Sequence, residues 1–251
     1  MDRWILEGCV DSLESALAAQ RGGADRLELC SNLVIGGTTP DAALFKQVRQ
    51  LGQIKINVLI RPRFGDFCYT DSEFERILEA TRLFADLGAD GVVIGVLQPD
   101  GSLDAGRMAR IMAQAPGLPV TLHRAFDQTA DPCRSLAQAI ELGVTTILTS
   151  GQQATCLEGV GLLKTLVTLA AGRIDILAGA GVSGQNIAAI WQQTGIQSYH
   201  LSGKIILDSP MRFRNSAVQM GLPSLDEFSI YQTDEKQIRA ARNVIDRLAR
   251  Q

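Results

Sequence analysis

Two hydrophobic patterns alternate along the chain. In one, apolar residues recur every three or four positions, as Leu13, Ala16 and Leu17 do within residues 12–21, which is typical of amphipathic helices. In the other, short runs rich in apolar and β-branched residues predict β-strands. Eight such runs occur, at residues 4–9, 26–30, 55–61, 91–97, 119–123, 145–149, 175–178 and 198–201.

Capping signals indicate where the helices begin and end. A cap residue three positions before a glutamate predicts a capping box, as in Asp11 with Glu14, Thr70 with Glu73, and Thr155 with Glu158. The dipeptides Thr39-Pro40 and Asp131-Pro132 predict a cap followed by proline at the first helical position. Glycines in the left-handed conformation are expected to end the helices that precede strands, at Gly23, Gly88, Gly143 and Gly195.

The regular alternation of strand and helix predicts a parallel sheet. Eight strands in one domain of 251 residues favour a closed (β/α)8 TIM barrel, with an open doubly wound sheet as the alternative. We expect a single α/β domain over residues 1–251, with the barrel at about 4–202 and a C-terminal extension at about 203–251. Residues 203–232 look irregular. From Asp234, apolar residues at helical spacing predict an amphipathic helix that packs on the barrel or on a partner subunit.

Composition excludes several classes of protein. The chain has 24 Lys and Arg against 27 Asp and Glu, and its basic residues are scattered, so we expect no nucleic-acid partner. No apolar run approaches the roughly 18 residues that span a bilayer, and the first residues lack a signal-peptide core, so we expect no membrane partner. The odd number of cysteines, 5, argues against a disulfide scaffold and favours a reducing, cytoplasmic location.

Polar residues near the C-terminal ends of the strands are the main functional signal, because barrel active sites lie at that end. Alternation along each strand predicts that five of them face the barrel axis: Glu7, Glu28, Arg61, His123 and His200. Both histidines of the chain are in this set. Such a cluster suits general acid–base catalysis or an anionic substrate. The alternative is an interior salt-bridge layer in which Glu7 or Glu28 neutralises Arg61.

Glycine-rich loops after the later strands predict an anion site. Residues 179–184 have the spacing G-x-G-x-x-G, but no acidic residue follows at the distance expected of a dinucleotide site. In a barrel, this loop and the segment after the eighth strand match the usual phosphate cradle. The candidate anion-binding residues, with a charged residue from the loop after the third strand, are Arg63, Ser150, Gly151, Gly179, Gly181, Ser202 and Lys204. The alternative is that the glycines only allow the loops to turn.

Two cysteines end neighbouring strands. Cys9 and Cys30 occupy equivalent positions on the first and second strands, so a soft-metal site with two thiolates is geometrically possible. The alternative is that both are small apolar core residues. A zinc site formed by His123, His200 and a carboxylate is conceivable, but no characteristic ligand spacing supports it.

Several segments resemble the CutC family, whose members are named for copper homeostasis. The resemblance runs from about residue 6 to residue 215. It rests on the segments at residues 9–12, 22–30, 60–63, 65–67, 123–127, 148–151, 179–181 and 213–215. It implies a TIM barrel, a cytoplasmic location, a homo-oligomer (dimer or tetramer) and a Cu(I) role in which Cys9 and Cys30 are the matching thiols. The chain departs from the family pattern at Phe64, where many members have glycine, and at residues 202–204.

Two hypotheses of function follow. The first, which we adopt as the prediction, is a cytosolic CutC-like protein that binds or traffics Cu(I) through Cys9 and Cys30. The alternative is a TIM-barrel enzyme acting on a small anionic or phosphorylated metabolite. In that case Glu7 or Glu28 with His123 would perform acid–base chemistry, and Arg61 would bind the anion.

Overall fold

Eight parallel strands close into a barrel in the order β1 to β8, which confirms the predicted TIM-barrel fold. The computed structural model describes residues 4–215, 217–218, 220 and 225–251. The barrel strands are β1 Ile5–Val10, β2 Arg26–Leu29, β3 Lys55–Leu59, β4 Gly91–Ile94, β5 Val120–Leu122, β6 Thr146–Thr149, β7 Asp175–Ala178 and β8 Ser198–Leu201. Each strand falls within or beside the run that predicted it.

A layer of helices surrounds the barrel. These are α1 Leu13–Gly22, α2 Ala42–Arg49, α3 Asp71–Asp86, α4 Ala105–Met112, α5 Pro132–Leu142, α6 Val160–Ala170 and α7 Ile187–Thr194. The main core lies between strands and helices, where outward strand residues such as Leu6, Leu27 and Ile56 are fully buried. Because side chains alternate along a strand, the residues between them, including Glu7 and Glu28, face the barrel interior.

The capping predictions hold for some helices and not for others. Thr70 and Glu73 form the predicted capping box at α3, and Asp131 caps α5 ahead of Pro132. At α1 the prediction was wrong by one residue, since Ser12 is the cap and accepts from the Ser15 N–H. The carboxylate of Asp11 instead accepts from the Leu33 N–H at 3.0 Å, which ties together the loops after β1 and β2.

Two other predicted cap residues, Thr39 and Thr155, do not cap a helix but lie in the loop before it. Asp41 caps α2, while the Thr39 hydroxyl exchanges hydrogen bonds with the backbone of Arg61. Thr155 and Glu158 form their reciprocal bonds, but these close a turn before α6, whose cap position is Gly159. The predicted left-handed glycines have positive φ at all four sites, as the ends of the preceding helices require.

The prediction that residues 203–232 are irregular was wrong for part of that range. Strands β9 Lys204–Asp208 and β10 Ser229–Thr233 pair antiparallel and form a separate two-stranded sheet. Both strands are mostly exposed or half-buried, so neither has the buried apolar run that marks the barrel strands. Residues 216, 219 and 221–224 of the same range lie outside the described residues.

The C-terminal helix α8, Glu235–Leu248, packs on helices α1 and α7 of the same chain. This confirms the prediction that it packs on the barrel. Its apolar positions Ile238, Ala241 and Ile245 are fully buried. Asp234 caps the helix, and the backbone N–H of Thr233 donates to the Ser15 hydroxyl at 3.1 Å. Among the described residues, no helix is long and apolar enough to cross a membrane.

The contact between α1 and α8 depends on a glycine. A Cβ placed on Gly22 would lie 2.5 Å from the Cβ of Ile238, whereas a Cβ on Gly161 in α6 would meet nothing within 4 Å. We predict that Gly22→Ala lowers the free energy of unfolding by about 1–3 kcal/mol, because the helices must separate. Gly161→Ala, the matched control, should raise it by about 0.5–1 kcal/mol. Urea unfolding of both variants measures these changes, and equal stabilities would contradict the close-packing argument.

Candidate functional site at the barrel mouth

A cavity of about 680 Å³ opens at the C-terminal ends of the strands. Four of the five predicted mouth residues line it, namely Glu28, Arg61, His123 and His200. Cys9 also lines it. The fifth predicted residue, Glu7, is fully buried and does not reach the cavity. The alternation along the strands therefore identified residues of the cavity wall correctly. It could not show that Glu7 lies too deep in the barrel to reach the cavity.

The carboxylate of Glu7 is held by side chains from both neighbouring strands. Glu7 on β1 is in register with Arg26 on β2 and with His200 on β8. It accepts hydrogen bonds from Arg26 Nε and from Asn57 Nδ2, and one oxygen lies 2.7 Å from His200 Nδ1. Burial alone would raise the pKa of Glu7, but the charges of Arg26 and His200 and their hydrogen bonds lower it to about 2.

Neither Glu7 nor Glu28 forms a salt bridge with Arg61. The alternative prediction, an interior salt-bridge layer in which one of them neutralises Arg61, was therefore wrong. Glu7 pairs with Arg26 and His200, and Glu28 accepts from the Cys9 thiol. Arg61 forms no salt bridge within the described part of the chain. Its guanidinium donates to the carbonyls of the loops after β2 and β3, those of Gly36, Gly37 and Gly65.

Three potential metal ligands lie together above Glu7. One ligand atom each from Cys9, Glu28 and His200 lies within 4.8 Å of the others. Cys9 and Glu28 are in register on β1 and β2, and the Cys9 Sγ lies 3.4 Å from Glu28 Oε1. Because His200 uses Nδ1 toward Glu7, its Nε2 is the nitrogen left for a metal.

Each ionisable group in this cluster shifts the pKa of its neighbours. Burial opposes the charged form of His200, but the negative charge of Glu28 and hydrogen bonds with Cys9 and Glu7 raise its pKa well above the usual value. Burial raises the pKa of Glu28, and the charge of His200 acts in the opposite direction. The Cys30 thiol, burial and the charge of Glu28 all raise the pKa of Cys9, so its sulfur is a thiol in the metal-free protein.

Cys30 lies beside Cys9 but behind the cavity wall. It is fully buried in a small apolar cluster with Cys9, Leu59 and Val93, and it does not line the cavity. Its Sγ lies 3.5 Å from the Val10 carbonyl oxygen. The structure therefore brings the two predicted thiols together, with only Cys9 open to the mouth. His123 and His200 do not form the zinc site considered above. Among the described residues, the one group of three metal donors contains His200 but not His123.

Arg61 and His123 flank an aromatic ring at another part of the cavity wall. The Phe67 ring lies 4.9 Å from the Arg61 guanidinium carbon and 4.9 Å from the His123 ring. His123 Nδ1 accepts from the Ala125 N–H at 3.1 Å, so the neutral ring carries its proton on Nε2. Burial and the charge of Arg61 lower the pKa of His123 to about 3.

Three buried polar atoms on the cavity-lining residues have no hydrogen-bond partner among the described residues: Glu28 Oε2, Arg61 Nε and His123 Nε2. Unpaired buried polar atoms are rare, because each loses its bond to water without replacement. All three atoms are covered by protein, so each is a desolvated polar group beside the cavity.

The predicted anion cradle is largely filled by the protein's own carboxylate. The backbone N–H groups of Ser150 and Gln152 and the hydroxyl of Thr149 donate to Asp127. The N–H of Gly151 donates to Thr149, so neither Ser150 nor Gly151 is available to an external anion. The prediction for these two residues was wrong because Asp127, whose carboxylate Arg124 also binds at 2.7 Å, enters the loop from after β5.

Two further predicted anion ligands do not line the cavity. Arg63 bonds to Glu73 at 2.6 Å and Asp66 at 3.0 Å and lies over the Tyr69 ring, so it does not reach the mouth. Gly179 donates its N–H to the Thr149 carbonyl and packs on Leu148. The remaining three predicted residues do line the cavity: Gly181, Ser202 and Lys204.

Sequence reasoning did not identify Asp127, Arg124 or Phe67 as part of the site. All three line the cavity. Arg124 and Asp127 lie in a short 3₁₀ helix after β5. The resemblance of this segment to the CutC family was the one sequence signal that could have identified them.

The comparisons with known proteins agree on one family. The model of the CutC family matches residues 4–205. A CutC family protein of Bacteroides thetaiotaomicron is 45% identical over 248 residues, covering 98% of this chain and 97% of the relative. The human protein named copper homeostasis protein cutC homolog is 44% identical over 247 residues, covering 96% and 90%.

Solved structures support the same fold. The CutC crystal structure from Streptococcus agalactiae superposes with a TM-score of 0.76 at 32% identity, covering 80% of this chain and 99% of that one. A thiamine phosphate pyrophosphorylase from Pyrococcus furiosus matches with a TM-score of 0.58 at 15% identity, over 98% of each chain. The second likeness is one of fold alone.

The buried neutral His123 predicts a specific acid sensitivity. Unfolded, its pKa returns to about 6.5, so the unfolded chain binds a proton that the folded chain excludes down to about pH 3. The free energy of unfolding should therefore fall as the pH falls through this window, by up to about 1.4 kcal/mol per pH unit. His123→Asn, which keeps an acceptor for Ala125, should remove that component. Unfolding of both proteins between pH 7 and about pH 4 measures the difference, and parallel curves would contradict the prediction.

Proposed function

The chain belongs to the CutC family, and on this basis we propose that it is a copper homeostasis protein that binds Cu(I) at the mouth of its barrel. The observation that carries the proposal is the group of three donors, Cys9, Glu28 and His200, with their ligand atoms within 4.8 Å of one another. Cys30 adds a second thiol directly behind Cys9.

The chemistry of the donors suits a soft ion. Cu(I) prefers thiolate sulfur and accepts imidazole nitrogen, whereas a carboxylate is a poor ligand for it. We therefore assign Cys9 Sγ and His200 Nε2 as ligands, with Cys30 as the further sulfur. Glu28 stays close as a charge partner rather than as the main ligand.

Glu7 positions the imidazole. A histidine that binds a metal through one nitrogen usually donates its other N–H to a carboxylate or carbonyl, which fixes the ring and its tautomer. The contact of 2.7 Å between His200 Nδ1 and Glu7 supplies that arrangement. Arg26 binds the same carboxylate and keeps the negative charge of Glu7 compensated in the barrel interior.

Glu28 provides a route for the thiol proton that copper must displace. Thiolate and neutral imidazole are the forms that bind metal, so binding releases the Cys9 proton and, because the pKa of His200 is raised, the proton on His200 Nε2 as well. In the metal-free protein that thiol faces Glu28 Oε1 at 3.4 Å. Glu28 is thus placed to accept the proton as the sulfur takes the ion, and it lines the cavity that leads to solvent.

A reducing compartment, the cytoplasm, is part of the proposal. All five cysteines are free, including the neighbouring pair. Persisting free thiols are typical of cytosolic proteins, and an oxidising environment would place the thiols of Cys9 and Cys30 at risk of losing their metal-binding form.

The test is Cu(I) binding by competition with a chromogenic chelator under anaerobic conditions. We expect Cys9→Ser to lose tight binding, because it removes the only sulfur that the described structure opens to the cavity. Cys133→Ser is the matched control, since Cys133 is exposed on α5 and should leave the affinity unchanged. The Cys30→Ser variant measures how much the second thiol contributes to the affinity for Cu(I). A Cys9→Ser protein that binds Cu(I) as tightly as the parent would refute the assignment.

A further inference from the structure

The cavity wall contains a second set of groups that the copper proposal does not use. The donors for copper come from three neighbouring strands, β8, β1 and β2, whereas Arg61 and His123 follow β3 and β5. Lys204, at the start of β9, lines the same cavity. The copper site gives none of these three residues a role.

Two of these residues are cations without a carboxylate partner among the described residues. Arg61 is 8% exposed and donates only to backbone carbonyls. The Lys204 ammonium lies 5.3 Å from the centre of the Tyr231 ring. By contrast, Arg124, another cation of the wall, is neutralised by Asp127. A buried charge with no counter-charge is costly, so the buried Arg61 favours an anion in the cavity. Lys204 is exposed and adds positive potential at the rim.

The unpaired atoms are either donors or acceptors, and this indicates which group of a ligand each would contact. Arg61 Nε–H and His123 Nε2–H are buried donors without partners, and the Phe67 ring lies 4.9 Å from both side chains. Both atoms are covered in the ligand-free structure, so an oxyanion reaches them after the side chains turn toward the cavity. Glu28 Oε2, elsewhere in the same cavity, is an acceptor without a partner. Two donors with a positive charge suit the oxygens of an oxyanion, and the acceptor suits a hydroxyl group.

We propose that the cavity binds a small organic anion. Its carboxylate or phosphate group accepts from Arg61 and His123, Lys204 attracts it at the rim, and its hydroxyl donates to Glu28. The volume of about 680 Å³ is in the range of small-molecule sites. This function goes beyond copper binding and does not depend on it, because the anion's contacts other than Glu28 are separate from the metal donors.

Calorimetric titration of the copper-free protein at low salt tests the proposal. The probes are malate, a hydroxy acid with carboxylates, and glycerol 3-phosphate, a hydroxylated phosphate, so the preferred oxyanion is read directly. We expect at least one probe to bind. His123→Asn should weaken that binding about tenfold, because it removes a hydrogen bond to a charged group. Thermal unfolding at neutral pH confirms that this variant is folded.

Lys204→Gln gives a second variant that does not disturb the core. We expect it to weaken binding about threefold at low salt and less at high salt, as removal of an exposed charge should. Lys55→Gln is the matched control, because Lys55 is an exposed lysine at the opposite end of the barrel, where β3 begins. The proposal is overturned if neither probe binds the parent protein, or if the His123 and Lys204 variants bind the probe as the Lys55 variant does.

Discussion

The buried carboxylate of Glu7 is the interaction on which the rest of the site depends. It is fully buried, yet it stays ionised because Arg26 and His200 approach it from the two neighbouring strands. The closure of the barrel makes this possible, since β8 returns beside β1 and brings His200 into register with Glu7. A deep negative charge thereby orients an imidazole toward Cys9. Replacing that charge with an apolar side chain would remove the carboxylate that both Arg26 and His200 bind.

The cavity above Glu7 is divided between two kinds of chemistry. Cys9 and His200 supply soft and intermediate donors, next to a protonatable carboxylate on Glu28. Arg61 and His123 supply hydrogen-bond donors around an aromatic ring, and the histidine is kept neutral by burial and by the arginine's charge. The division follows from the topology, because the soft donors come from adjacent strands and the anion-binding groups from the loops after β3 and β5.

Periodicity and local signals were sufficient to predict the barrel and the inward direction of the mouth residues. Both depend on the alternation within a strand, which Glu28 and His200 illustrate. They were not sufficient where a partner lies far away in sequence. Asp127 fills the loop at Ser150 from 23 residues away, and the pairing of β9 with β10 joins segments that have little buried apolar pattern of their own. Arg63 was predicted at the mouth because its charge was visible in the sequence, while its bonds to Glu73 and Asp66 were not.

The central claim is that Glu7 fixes His200 so that Nε2 joins Cys9 in binding Cu(I). Nitrogen NMR of the histidine side chains in the copper-loaded protein tests it most directly. We expect His200 to keep the proton on Nδ1, hydrogen-bonded to Glu7, while the Nε2 resonance shifts to a metal-bound position and the His123 resonances are unchanged. A loaded protein in which both nitrogens of His200 keep their metal-free shifts would contradict it and would leave the ion to the sulfurs of Cys9 and Cys30 alone.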